Sequence, residues 1–273
     1  MRVETSMLSK QQKNAIVKIK SQEVRQIKKK FDIGLIRNAA FSIGTDFNSA
    51  RVALNDPQTI PLLVPLLKKS LHVQGVIENY QPFKISRLLS QMKLAVFLVA
   101  SDRDLLGGDP AHIRLVKTGA EVSVLQHDFF IDEVQIYQAK SYGSDGILLD
   151  REFLDPKKLA SFAEITFQMG MEPFLKIYHP ADLQHVDPEI IGGFIIEKES
   201  ISGNFQFEFH KLLKEEKFLH LPKIIISSWL SQEDIRQFHQ HGINHFMLNE
   251  DWLQQPDALI ALERMIQTNW PDH

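Results

Sequence analysis

From residue 61 onward the chain alternates between short apolar runs and longer amphipathic stretches. The runs are PLLVPLL from Pro61, LAVFLVA from Leu94, VSVLQ from Val122, GILLD from Gly146, EPFLKIY from Glu172, GGFIIE from Gly192, KIIISS from Lys223 and NHFMLN from Asn244. Each is continuously apolar rather than alternating, the pattern of strands buried on both faces. Between them lie helical patterns such as DEVQIYQAKSYG, SQEDIRQFHQHG and PDALIALERMI. Several open on Asp, Ser or Pro and close on Gly, which are start and stop signals for helices. Eight strands, each followed by a helix, predict the α/β class and a single (β/α)8 TIM barrel. A doubly wound open sheet is the alternative, but the chain lacks the Gly-rich first turn typical of that fold.

The first sixty residues stand outside this rhythm, so residues 1–60 are expected as an N-terminal helical extension packed on a barrel of residues 61–273. Lys10 to Lys30 carries eight Lys or Arg and one Glu, with Ile16, Val24, Ile27 and Phe31 at helical spacing. The expectation is a solvated helix laid on the barrel with its apolar stripe down. A basic helix that recruits a partner is the alternative.

Composition narrows the function classes. The 273 residues carry a net charge of −3, so no overall charge argues for nucleic acid or an acidic membrane surface. Without cysteine there are no disulfides, thiolate metal sites or cysteine nucleophiles, which is compatible with a reducing cytoplasm. MRVETSMLSK lacks the apolar core of a secretory signal. The apolar runs fall far short of the roughly 20 residues that cross a bilayer. A soluble, cytoplasmic protein is expected. His210, His220, His239, His241 and His245 are scattered without carboxylates at ligand spacing, and His179 follows a strand end. No metal or other cofactor is expected, and there is no phosphate-binding glycine loop for a nucleotide.

LQHDFFIDEVQIYQAKSYGSDGILL, ending at Leu149, resembles the L-x-K-D-F-I-I-D-x-x-Q-I-Y-x-A-x-x-x-G-A-D-A-I-L-L motif of the indole-3-glycerol phosphate synthase family, without gaps. YQPFKISRLLSQMKLAVFLVASDRDLLGGD, MGMEPFLKIYHPADL and SSWLSQEDIRQFHQHGINHFMLNEDWL resemble further family segments, and the basic N-terminal helix matches the family's extension. The likeness spans nearly the whole chain. It implies a carboxy-lyase of tryptophan biosynthesis that closes a carboxyphenylamino-deoxyribulose phosphate into an indole ring, losing carbon dioxide and water. That chemistry calls for a cation to protonate a ketone, a carboxylate base and a phosphate cradle.

The resemblance also says where those groups belong, and this chain departs from it there. His127 stands at the position of the third-strand Lys, the family's general acid. Lys176 stands at the position of the fifth-strand Glu, its base. Pro65 and Leu67 fall at the first-strand Glu and Lys positions, while Lys68 and Ser70 match. Glu197 and Glu199 lie near the sixth-strand Asn and Arg. Ser227 matches the seventh-strand Ser, and Ser228 replaces the following Gly. Asn249, Glu250 and Asp251 occupy the eighth-strand phosphate loop. The resulting candidate catalytic residues are His127, Lys176 and Glu197; the candidate substrate-binding residues are Lys68, Ser70, Ser227, Ser228 and Asn249.

A carboxylate roughly 5 Å from a phosphate costs roughly 3 kcal/mol at an effective dielectric near 20, or about two orders of magnitude in affinity. Glu250 and Asp251 impose that cost only if they turn inward; as caps of a following helix they are harmless. Lys176 and Glu197 exchange sign on adjacent strands, and their expected arrangement is a buried ion pair. The alternatives are an acid–base pair and a Schiff-base lysine. The expectation is therefore a barrel of this family with little or none of the ring-closing activity. Its ligand, if a pocket persists, is a small anionic sugar-phosphate or carbonyl compound. An active synthase or rewired lyase is the alternative, and an interaction protein using the basic helix is a third.

Overall fold

In a computed structural model, eight parallel strands form a closed barrel in sequence order. The structure describes residues 8–44, 47–69, 77, 80–197, 206–227, 230–250, 252–254 and 257–271. The strands are β1 (Leu62–Leu66), β2 (Val96–Ala100), β3 (Ser123–His127), β4 (Gly146–Asp150), β5 (Glu172–Ile177), β6 (Gly193–Glu197), β7 (Lys223–Ser227) and β8 (His245–Leu248). Closure rests on pairing of Leu62 with Phe246 and Leu63 with Met247, which excludes the open sheet. Seven of the eight strands lie inside the apolar runs read from the sequence, and β3 runs one residue past its run to end on His127.

Side chains alternate along each strand. Leu63, Val96, Leu98, Leu125, Leu148, Phe174, Ile195, Ile224 and Met247 point inward and form one buried cluster. The other parity, including Phe97, Val124, Ile147, Leu175 and Phe246, packs outward against the helices. These helices are α4 (Pro82–Gln91), α5 (Pro110–Gly119), α6 (Glu133–Tyr142), α7 (Pro156–Gln168), α8 (Gln206–Leu213), α9 (Gln232–Gln240) and α10 (Ala258–Asn269), numbered after three that precede the barrel. Local chemistry sets their ends. Asp132 and Ser231 form capping boxes with Gln135 and Asp234. Gly143 ends α6 at φ 88°, a conformation that favours glycine.

The preceding helices are α1 (Lys10–Lys30), α2 (Ile33–Ser42) and α3 (Ala50–Asn55). Together they reach both ends of the barrel. At the strand C-terminal end, Leu8 and Ile16 pack with Leu67, Ala100, Leu106 and Phe129. At the opposite end, Ala50 and Leu54 of α3 join the inward cluster and plug the barrel floor. Asn48 donates to Asp145 and to the Val122 carbonyl, while Ser49 and the Arg51 amide bind Glu172. Asn55 meets His245 at 3.1 Å.

The α1 stripe differs from the sequence expectation in two places. Phe31 lies beyond the helix and is 58% exposed, so it adds nothing to the buried face. Lys20, read as one of several solvated cations, is buried beside Ile16 and Val24. Its burial is tolerated because three carboxylates surround it. Lys13 pairs with Glu152 at 2.9 Å and Lys28 with Asp132 at 2.7 Å, so three of the helix's cations are engaged. Among the described residues, no helix is long and apolar enough to cross a membrane.

Candidate functional site at the barrel mouth

The inward parity of the strands carries polar groups upward from the apolar interior. His127 ends β3 two residues beyond Leu125, Asp150 ends β4 beyond Leu148, Lys176 follows Phe174, and Glu197 follows Ile195. Each therefore points toward the axis at the strand C-terminal end, where barrel enzymes place their chemistry. The three proposed catalytic residues share one mouth.

Lys176 Nζ lies 2.9 Å from Glu197 Oε1 and 4.0 Å from Asp150 Oδ2. Glu197 is 5% exposed at its side chain, and Lys176 is 16% exposed. Burial alone would lower the Lys176 pKa, but Asp150 and Glu197 overcome it and hold the ammonium above its ordinary value. A lysine kept protonated in this way has no free amine for a Schiff base and cannot act as a base. The Lys176–Glu197 ion pair is thus present, and it gains a second carboxylate that the sequence reading overlooked.

Asp150 is that missed residue. Burial pushes its carboxyl up to about 6, against an ordinary 3.8, and the attraction of Lys176 offsets this only in part. The Glu152 amide donates to Asp150 Oδ1 at 2.7 Å, and the Tyr178 hydroxyl donates to Oδ2 at 3.2 Å. The signal was available in GILLD, an apolar run closing on an acid at the parity of Leu148. Continuous hydrophobicity hid that alternation.

His127 faces Glu250, with Nε2 and Oε1 3.4 Å apart. Burial lowers the imidazole pKa, and Lys176 lowers it further, while Glu250 opposes both. A neutral ring results, where the resemblance implies a permanent cation. The sequence left the orientation of Glu250 open between an inward carboxylate and a helix cap; it faces inward, toward His127.

The substrate-binding candidates do not all join this cluster. Lys68 has the outward parity, packs beside Gly107 and acts electrostatically on His112 of α5. Ser227 lies outward of Ile224 and Ile226 at the end of β7, and its carbonyl accepts from the Asn249 amide at 2.9 Å. Asn249 follows β8 at the inward parity of Met247. Ser70, Ser228, Glu199, Asp251 and His210's side chain lie outside the described residues. Pro65 is on an inward position of β1, and its carbonyl accepts from the Trp252 indole at 2.6 Å. His179 caps a short 3-10 turn, its Nδ1 accepting from the Ala181 amide. Among the described residues, no group of three or more His, Asp or Glu is arranged to hold a metal.

A second polar cluster supports the mouth from outside. Lys20 Nζ lies 2.7 Å from Asp102, 2.6 Å from Asp128 and 2.8 Å from Glu23. Asp102 also accepts from the amides of Leu105 and Leu106, and Asp128 accepts from Ser101 Oγ and the Phe129 amide. Burial opposes the Lys20 charge, but Asp128 and Asp102 outweigh it and raise its pKa. A cavity of about 380 Å³ lies beside this cluster, between α1 and the ends of β2 and β3.

The sequence model of the family described as indole-3-glycerol phosphate synthase matches residues 13–265 of this chain. The chain belongs to the indole-3-glycerol phosphate synthase family. It is 26% identical over 257 residues to the indole-3-glycerol phosphate synthase of Legionella pneumophila (strain Paris), covering 92% of this chain and 96% of that one. It is 29% identical over 208 residues to the enzyme of Campylobacter hominis, covering 74% and 78%. Solved structures share the barrel alone. The tryptophan synthase A-subunit of Pyrococcus furiosus matches with a TM-score of 0.55 at 10% identity, covering 77% of this chain and 96% of that one. The orotidine 5'-phosphate decarboxylase of Pyrococcus horikoshii matches with a TM-score of 0.52 at 11% identity, covering 76% and 98%.

Proposed function

We propose that this member of the indole-3-glycerol phosphate synthase family has lost, or retains only at a low level, the ring-closing decarboxylation for which the family is named. One observation carries the reading: Lys176 sits clamped between Asp150 and Glu197 at the strand position where the resemblance implies the catalytic carboxylate. A protonated lysine there cannot remove the proton that rearomatisation requires. The neutral His127 supports the same reading, because it stands where a cationic acid is implied and is drawn toward Glu250. Each acid or base role is worth about 10² to 10⁴ in rate, so altering two removes on the order of 10⁴ or more.

The test mixes the purified full chain with carboxyphenylamino-deoxyribulose phosphate and follows indole fluorescence. Turnover about 10⁴-fold or more below that of the Legionella pneumophila relative, measured side by side, is expected. Turnover within tenfold of that relative overturns the reading. A thermal-shift measurement on the same mixture separates lost binding from lost chemistry.

A further inference from the structure

We infer that α1 is an ionically latched strap, which lifts from the barrel as a unit when its outer ion pairs are screened and thereby loosens the segments carrying His127 and Asp150. The inference goes beyond the loss of ring closure and does not depend on it.

The first observation is the stripe that α1 turns to the barrel. Lys13, Ile16, Lys20, Val24 and Lys28 follow one another at spacings of three or four residues, so one face alternates cationic and aliphatic side chains. The lysines clip carboxylates beyond three successive strands. Lys13 holds Glu152 past β4, Lys20 holds Asp102 past β2 and Asp128 past β3, and Lys28 holds Asp132, the N-cap of α6.

The second observation is how little else fastens the helix. Ile16 and Val24 are its only buried aliphatic residues, and the cavity of about 380 Å³ lies under its second half, lined there by Lys20, Val24, Ile27 and Phe31. Among the described residues, α1 runs closely along no strand or helix, whereas α2 packs along α6. Phe31 and Asp32 join the two helices in extended conformations, and Asp32 caps α2 by accepting from the Leu35 amide. These two residues form a hinge about which α1 swings while α2 stays seated.

The third observation links the strap to the mouth. Glu152 accepts from the Leu8 amide and pairs with Lys13, and its own amide donates to Asp150. Asp128 and Phe129 directly follow His127; Lys20 holds the first, and Leu8 and Ile16 pack with the second. The central clip is buried, so salt leaves it largely in place. Lys13 and Lys28 are 33% and 34% exposed at their side chains, and their pairs are screened. Lifting breaks all three clips and salt removes the contribution of the outer two, so the open population rises with ionic strength.

Hydrogen exchange of the full chain, read by mass spectrometry at roughly 0.02 M and roughly 0.5 M KCl, tests this. Amides of α1 are expected to exchange about fivefold faster at the higher salt, while those of β2 to β5 keep their rates. A Lys13→Met/Lys28→Met double variant, checked for folding by circular dichroism, is expected to show the faster exchange already at low salt and to lose the salt dependence. In that variant at low salt, NMR titration should find the His127 pKa moved up toward the ordinary 6.5, because water reaches a ring whose pKa burial lowers. Salt-independent exchange of α1, exchange of α1 in step with the barrel strands, or an unmoved His127 in a variant whose α1 opens overturns the inference. Should the double variant misfold, the salt comparison on the unaltered chain decides alone.

Discussion

Lys20 Nζ lies 2.6 Å from Asp128 Oδ1, so a cation of the N-terminal helix holds the residue that follows His127. The same nitrogen binds Asp102 at the end of β2, and both carboxylates also close loops through backbone amides. Removing the ammonium leaves two buried acids side by side. Lys20→Met is expected to destabilise the protein by about 3–5 kcal/mol, and adding Asp128→Asn to recover part of that loss. Urea denaturation measures both. A loss under about 1 kcal/mol for Lys20→Met would mean that the cluster is an ornament of the fold rather than a fastening.

Asp150 predicts a pH dependence of opposite sign to most carboxylates. Its folded pKa, about 6, exceeds the ordinary 3.8, so the folded state binds the proton first. The stability this contributes is complete below about pH 3.8 and is lost as pH rises through about 6. Asp150→Asn mimics the protonated form. It is expected to stabilise the protein by about 1–3 kcal/mol at pH 8 and to change little at pH 4. Denaturation midpoints at the two pH values decide it, and equal effects at both would refute the assignment.

His245 predicts acid sensitivity at the barrel floor. Burial, aided by Lys223, lowers its pKa to about 4, so the folded state resists the proton that the unfolded chain accepts near 6.5. Stability from this group is therefore full above about pH 6.5 and is lost as pH falls toward 4, by up to about 3 kcal/mol. A His245→Asn variant should flatten the stability profile across that window. NMR titration of the imidazole gives the pKa directly, and a value near 6.5 would remove the effect.

The barrel was legible because each strand is an unbroken apolar run, whether LAVFLVA around β2 or KIIISS around β7, and such runs suit only a sheet buried on both faces. The Lys176–Glu197 pair was legible because β5 and β6 are neighbours and both positions face inward, although the register sets Lys176 opposite Ile195, two residues before Glu197. Lys20 was not, since nothing local separates it from seven other cations on α1; its partners lie on strand ends far along the chain. The orientation of Glu250 stayed open for a similar reason. An acid before a helix usually caps it, but this one, just past the end of β8, faces His127 across the mouth. The registers that continuous hydrophobicity conceals are the ones that hid Asp150.

The Asn55–His245 contact joins segments 190 residues apart. During synthesis α3 leaves the ribosome long before β8, so this contact forms only after the eighth strand has been made. Ala50 and Leu54 pack on the side of β2 and β3, and the inward cluster that holds them is completed only when Ile224 of β7 and Met247 of β8 join it. A nascent chain stalled before β8 leaves β1 and β7 with open edges and the inward cluster incomplete, which makes arrested or truncated forms targets for chaperones and proteases.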